Sequence, residues 1–346
     1  MADRSFKKLT AFTDPHFGEH SNSFEHNQRI IDFISWFIDE SLTFGADTVV
    51  MLGDWHNSRR TINVSTLNYS NQGLRMLSAA FKNVYLIPGN HDLFLKHKRD
   101  IISLEFSKNI PNLHLVSEIT EVGSDLVILP WLVPGEDKLV ESLKNRYMFG
   151  HLELGGFLMN AMVKMPDNYG PDRKIFKQQE HVFSGHFHKR QTQGNITYIG
   201  NAFPINFSDS GDDDRGMMFL EWGKDPKYKS WPAAPKYRTA TLSQIVEKPD
   251  AWLDELTSIR VMIDLDLDYE QAIAFKEQVI ENYKVMDMIL IPRDEDDCEL
   301  IYEEGKEFQS VDQIVIEGLK AWETTGNIDR DLLIEIYNGL NVEKHG

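Results

Sequence analysis

The chain has 346 residues, 41% hydrophobic and 26% charged, a balance that fits a soluble globular protein of one large or two modest domains. Its net charge of −18 argues against a protein that simply coats nucleic acid, and no apolar run approaches the roughly 20 residues that span a bilayer. Cys298 is the single cysteine, which excludes an intramolecular disulfide and a cysteine-based zinc site; with no secretory signal in "MADRSFKKLTAFTD", a reducing cytoplasm is the expected compartment.

In chain order, "LTAFTD" (9–14) reads as a buried strand, and residues 25–44 as a helix with Ile30, Ile31, Ile34, Phe37, Ile38 and Leu42 on one stripe. "TVVMLGD" (48–54) is a second strand, 65–81 a second helix, and "VYLIPGN" (84–90) a third strand. Strands separated by helices predict an α/β layered core. Further strands follow at "YMFGH" (147–151), "HVFSGH" (181–186), "ITYIGN" (196–201) and "GMMFLEW" (216–222), and a second sheet packed on the first accommodates them.

Residues 224–237, rich in proline and lysine, read as a linker. A small α+β unit is expected over 238–304, from a strand at 259–269, a helix at 269–282 and strands at 285–292 and 298–304. Two helices end the chain over 305–346; Phe308, Val311, Ile314, Val315, Leu319 and Trp322 form an apolar stripe on the first. Charge follows this division. Residues 1–223 carry 22 Lys and Arg against 27 Asp and Glu, whereas residues 224–346 carry 14 against 27. Arg59-Arg60, Lys96-His97-Lys98-Arg99 and Lys189-Arg190 remain as local basic clusters, each of which alone reads as a solvated loop.

Polar residues collect where strands end. "FTDPHFG" offers Asp14 and His16, "MLGDWH" Asp54, "IPGNHD" Asn90 and His91, "FGHLEL" His151, and "FSGHFH" His186 and His188. Ligands of an open α/β sheet gather at the carboxyl ends of its strands, and Gly53, Gly89, Gly150 and Gly185 would let backbone pass close to a crowded site. Any one of these turns could be ordinary. Five together point His186 and His188 at metal. Carboxylate and amide oxygens mixed with imidazoles suit Mn²⁺ or a similar borderline cation better than a calcium cage.

D-x-H, GD, GNHD, a lone GH and GHxH, in that order over residues 12–188, resemble the signature of the calcineurin-like metallophosphoesterases. Within that superfamily the chain is similar to the SbcD-type nucleases of DNA double-strand-break repair, and in length and style to their T-even bacteriophage branch. "YIGNAFPINFSDSGDDDRGMMFLEW" and the terminal helical pair carry that closer resemblance. It implies a two-sheet sandwich flanked by helices (1–223), a small α+β capping domain (238–304) and a helical element (305–346) that docks a coiled-coil SbcC-type ATPase. It further implies a homodimer within a 2:2 complex, acting on duplex ends as a 3′-to-5′ exonuclease and on single strands as an endonuclease.

Carried over residue by residue, the pattern assigns one divalent cation, Mn²⁺ or Mg²⁺, to Asp14, His16, Asp54 and His188. The second falls to Asp54, Asn90, His151 and His186, so that Asp54 bridges. His91 would contact phosphate and serve the leaving oxygen. His56 would also be functional, although it follows Asp54 by two residues where the pattern has three; an ordinary loop histidine is the other reading. The basic clusters would then grip DNA phosphates, with a partner supplying most of the hold. Protein phosphatases of the superfamily carry Asp-Arg-Gly after the bridging Asp and Glu after GNH, whereas this chain reads "GDWHNSRR" and "GNHD". A small-substrate phosphodiesterase and a non-catalytic scaffold on the same fold remain the alternatives.

Overall fold

Strands β1 (Lys8–Phe12), β2 (Thr48–Met51), β3 (Asn83–Leu86) and β4 (Leu113–Leu115) pair in parallel, and β1 to β3 are apolar on both faces. Such runs need cover on each side. Helices α2 (Phe24–Phe44) and α3 (Val64–Ala80) cover one, packing Ile30, Ile34, Phe37, Leu74 and Leu77 on Phe12, Val49, Met51 and Val84. Ser23 caps α2 by accepting from the His26 amide, and Gly45 ends it in the left-handed region at φ 82°. Leu42, expected on the buried stripe, is exposed. A single turn, α1 (Glu19–Asn22), precedes α2 with His20 and Ser21 left-handed.

The other face meets a second six-stranded sheet of order β5-β6-β7-β8-β10-β9. Its members are β5 (Thr120–Val122), β6 (Leu126–Ile128), β7 (Tyr147–His151), β8 (His181–Gly185), β9 (Gln191–Gln193) and β10 (Ile196–Tyr198), with α4 (Asp137–Ser142) between β6 and β7. Leu9, Ala11, Val50 and Leu52 of the first sheet interleave with Leu126, Ile128, Phe149 and Phe183 of the second. β6, β7, β8 and β10 run parallel, so both sheets have a shared carboxyl edge.

The structure, a computed structural model, describes residues 4–160 and 163–292. The expected strand at 298–304 and the helical pair with Phe308, Val311, Ile314, Val315, Leu319 and Trp322 lie outside them. Two boundaries differ from expectation. β11 (Gly216–Glu221) joins β1 antiparallel, and β12 (Lys227–Ser230), inside the expected linker, continues that sheet as its edge. Lysines flanking a half-buried Tyr228 are ordinary for an edge strand, where cations deter further pairing. β13 (Lys236–Thr241) also starts within the expected linker and pairs in parallel with β14 (Thr257–Met262), which pairs with β15 (Asp287–Ile291). With α5 (Leu242–Glu247) and α6 (Tyr269–Tyr283), these strands close a separate small core around Ile259, Val261 and Met288. This unit rests on the sandwich: Phe207 stacks edge-on against Tyr237 at 5.1 Å, and Arg29 reaches Met286.

Candidate metal centre

Beyond β1 and β2 the chain stays paired as two loops. Asp14 N donates to Gly53 O (3.0 Å), His16 N to Asp54 O (3.2 Å), Phe17 N to Trp55 O (2.8 Å) and Asn57 N to Phe17 O (2.9 Å). That pairing carries Asp14, His16 and Asp54 to one place. His151 ends β7, and His186 and His188 follow β8, so the second sheet delivers its imidazoles opposite. Asp14, His16 and His188 form one group of potential ligands and Asp54, His151 and His186 another, buried except for the partly exposed His188 and His186, each with ligand atoms within 4.8 Å of one another.

The two groups touch through Asp54. Its Oδ2 lies 3.3 Å from His151 Nε2 and 4.0 Å from His16 Nε2, while its Oδ1 accepts from the His91 amide at 2.8 Å. Asn90 Oδ1 is 3.2 Å from His151 Nε2, which adds it to the second group. Close backbone approach is enforced at three glycines, Gly53 among them, where a Cβ would sit 2.2 Å from His151 Nδ1. A Cβ on Gly89 would sit 2.2 Å from Asp54 Oδ1, and one on Gly185 would sit 2.1 Å from Thr13 Oγ1. Gly150, by contrast, would meet only Leu152 and Leu129 side chains, at 3.2 Å or more, and does not open the site.

Cations fit this arrangement for reasons internal to it. Asp14 Oδ1, both ring nitrogens of His16 and Nδ1 of His186 are buried without a hydrogen bond among the described residues, and buried polar atoms are costly without a partner. Asp14, His16, Asp54 and His186 all hold positive φ, at 52°, 53°, 53° and 89°, a backbone conformation costing roughly 1–3 kcal/mol each. Burial, the dominant influence, pushes the Asp14 carboxyl up to about 7, His151 opposing and Asp54 adding. Burial likewise disfavours a charged His151, yet Asp54 and Asp14 outweigh it and lift the ring to about 9. Burial holds His188 down to about 3, so it stays a neutral donor. Crowded carboxylates that draw a proton onto His151, beside rings that burial keeps neutral at His16, His186 and His188, are an environment in which a divalent ion supplies the missing charge.

Hydrogen bonds also orient the rings. His151 Nδ1 donates to Leu52 O at 2.6 Å, leaving Nε2 toward Asp54. His186 Nε2 donates to Glu153 Oε1 at 3.3 Å, which turns Nδ1 inward. His26 Nε2 reaches His16 O at 3.2 Å. Sequence reasoning gives Glu153, His26 and Asp92 no role. Asp92 lies inside the GNHD motif, and its carboxylate accepts from Trp55 N, His56 N and Gly89 N, stapling the β2 and β3 loops together.

His91 is half-buried at the rim. Its Nδ1 donates to Asn57 O at 2.6 Å, its ring lies 5.2 Å from that of His16, and Nε2 makes no hydrogen bond among the described residues. His56 needs correction. It is wholly buried, with Nδ1 on Ser103 Oγ and Nε2 on Ser70 Oγ, both at 2.8 Å, and burial holds its ring down to about 3. With both nitrogens engaged by hydroxyls and no exposure, it cannot meet a substrate; the shortened spacing after Asp54 turns it into the core.

The basic clusters divide too. Arg99 is spent on Glu136, Ser117 O and Trp131 O, and Arg190 on Asp214, Ile199 O and the Tyr228 ring. Both hold the fold together, and neither is a free phosphate contact. Lys96 bonds Glu153 at 3.0 Å and Lys189 bonds Asp212 at 3.2 Å. Arg59, Arg60 and Lys98 have no ion pair among the described residues, and Arg60 and Lys98 are exposed.

At the shared carboxyl edge of the two sheets lie two adjoining carboxylate–imidazole groups, each of which could hold a metal ion. The chain belongs to the calcineurin-like phosphoesterase family, which matches residues 7–190. It is 26% identical over 327 residues to exonuclease subunit 1 of Enterobacteria phage T4, covering 90% of this chain and 92% of that one. Among solved structures it is similar to a dimetal phosphatase from Danio rerio, at a TM-score of 0.46 and 12% identity, over 66% of this chain and 97% of that one. It is also similar to the E. coli phosphoesterase YfcE, at a TM-score of 0.31 and 13% identity, over 62% and 88% of the two chains. No helix among the described residues is long and apolar enough to cross a membrane.

Proposed function

We propose that this phosphoesterase is the nuclease subunit of a DNA-end-processing complex, cutting phosphodiester bonds with two Mn²⁺ or Mg²⁺ ions and working beside a coiled-coil SbcC-type ATPase. The observation that carries the reading is the reach of the similarity to a phage exonuclease subunit, which extends beyond the phosphoesterase segment through nearly all of the chain. A small-substrate enzyme has no need of the 236–291 unit or of the residues C-terminal to it.

Asp14, His16 and His188 would hold one ion and Asn90, His151 and His186 the other, with Asp54 shared. When bound, such a pair activates a water and stabilises both oxygens of an in-line displacement at phosphorus. His91 is the residue placed to move a proton. The Asn57 carbonyl holds Nδ1–H, which leaves Nε2 as the ring nitrogen available to donate to a leaving oxygen. Asp54 Oδ1 accepting from the His91 amide ties that ring to the bridging carboxylate.

One observation favours a second reading, a small-substrate phosphodiesterase. Of the seven cations assigned to DNA, four are committed to carboxylates of the chain itself. Under the nuclease reading the ATPase partner supplies that grip, docked by the stripe from Phe308 to Trp322, and the active assembly pairs two copies of each subunit. Manganese-dependent cleavage of end-labelled linear duplex, with and without the ATPase, is the test. Turnover of small chromogenic diesters with no cleavage of duplex or single strands under either condition overturns the nuclease reading.

A further inference from the structure

The run "DSGDDD" (209–214) is dense enough in acid to be expected as solvated surface, yet each of its carboxylates is matched to a cation. Asp209, fully buried, accepts from Arg215 Nη2 at 3.2 Å. Asp212 takes Arg215 Nη2 at 3.1 Å and Lys189 Nζ at 3.2 Å. Asp214 takes Arg190, and Asp213 takes Arg238 of β13. Arg215 is the hub and is wholly buried. Its Nη1 donates to Asn201 Oδ1 at 2.8 Å, and the Asn201 backbone N–H donates to the His188 carbonyl at 3.2 Å.

Three consecutive residues are thereby fixed from one side: His188 through Asn201, Lys189 through Asp212 and Arg190 through Asp214. Outside that cluster the stretch is held by the Met159 carbonyl, which accepts from His188 N at 3.1 Å, by Gln191 Nε2, which donates to Lys189 O at 3.3 Å, and by the Ile199 carbonyl, which accepts from Arg190 Nε at 3.0 Å. A buried ion pair is weak evidence for stability, since taking both charges out of water costs about what their attraction returns. What such a cluster can supply is geometry. The forked guanidinium fixes directions that a flexible ammonium does not. The geometry it fixes here is that of the backbone carrying the His188 imidazole.

We propose that Arg215 is a positioning residue for His188: through Asn201 and the 209–214 carboxylates it sets the affinity of the Asp14–His16–His188 ion and not that of the other. The inference rests on the two-metal reading above. It is tested on the full chain by Mn²⁺ titration, with metal counting and electron paramagnetic resonance to separate a coupled pair from an isolated ion. Arg215→Lys keeps the charge and loses the fork; Asp212→Asn, at a partly exposed site, weakens the Arg215 and Lys189 contacts together. Each should bind the first ion as the parent does and the second about 10–100-fold more weakly, the usual range for groups that orient metal ligands. An isolated-ion signal should then appear where the parent shows a coupled pair. A parent that never takes up two ions defeats the two-metal reading itself. A parent with two ions, and folded variants that hold both at parental affinity, overturns the role of Arg215. So does loss of both ions in step with a collapse of thermal stability. If Arg215→Lys does not fold, Asp212→Asn decides alone.

Discussion

The carboxyl edge of the two sheets and the 236–291 unit are built by opposite rules. In the unit, local preferences agree with the fold. Thr241 and Asp268 both form full capping boxes with the glutamine three residues on, and β13, β14 and β15 pair in simple parallel register. At the sheet edge, four polar residues hold left-handed backbone and several buried ring and carboxylate atoms lack hydrogen bonds. Sequences that specify one structure are locally consistent except where function requires otherwise. Four of the candidate ligands carry that strain, whereas in the neighbouring unit the one non-glycine residue at positive φ is Lys284, at 53°, where it ends α6.

The sharpest way to break that contrast is Asp54→Asn. It removes the carboxylate proposed to be shared by both ions, so phosphodiesterase activity should fall by orders of magnitude and mass spectrometry of the native protein should show bound metal lost. Because the amide keeps the size of the side chain, the far-ultraviolet spectrum should be unchanged. Two ions still tightly bound in Asp54→Asn would defeat the bridging assignment. Next in size is His91→Ala. Activity should drop by roughly 10²–10⁴ while both ions stay, as expected for a proton donor. Parallel loss of metal would instead place His91 among the ligands.

The sequence exposes the edge itself far better than its supports. Asp14, His16, Asp54, Asn90, His151, His186 and His188 are legible because each ends a recognisable apolar strand, and strand ends converge. Asp92 and Glu153 are not, although both stand within the strand-end motifs, because their roles depend on amides and rings from distant segments. His56 misleads for a related reason: whether a loop histidine turns inward is decided by Ser70 and Ser103, remote in sequence. The paired cations Arg99 and Arg190 likewise show their carboxylate partners only in three dimensions. β12 reads as linker because four residues with two lysines carry little periodicity, and its pairing comes from the neighbouring β11.

His56→Ala turns that misleading signal into a smaller test of the same contrast. Removing the ring takes one hydrogen bond from each of two serine hydroxyls, Ser70 keeping Trp55 Nε1 at 2.8 Å and Ser103 keeping Asp92 at 3.4 Å, and opens a cavity in the core; a lost hydrogen bond alone costs about 0.5–1.5 kcal/mol. Thermal or urea unfolding should show destabilisation of at least that size. Manganese binding and the rate per folded molecule should remain parental. A folded His56→Ala protein with normal stability and a collapsed rate would restore His56 to the active site.

The smallest effect is expected in the 236–291 unit. Asp268 accepts from the Gln271 amide at 2.8 Å, and the Gln271 side chain accepts from the Asp268 amide at 3.1 Å, so one carboxylate starts α6. Asp268→Ala removes half of that exchange and the favourable charge at the helix start, a loss of about 1 kcal/mol by analogy with other N-caps. Hydrogen exchange should quicken over the first turn of α6. Because this helix packs on the small core around Ile259 and Val261, and not on the sheets that carry Asp54 and His151, metal stoichiometry and cleavage should not change. Exchange that instead quickens around Asp14 and Asp54 would show that the two regions share one cooperative unit and that strain at the edge is balanced by order in its neighbour.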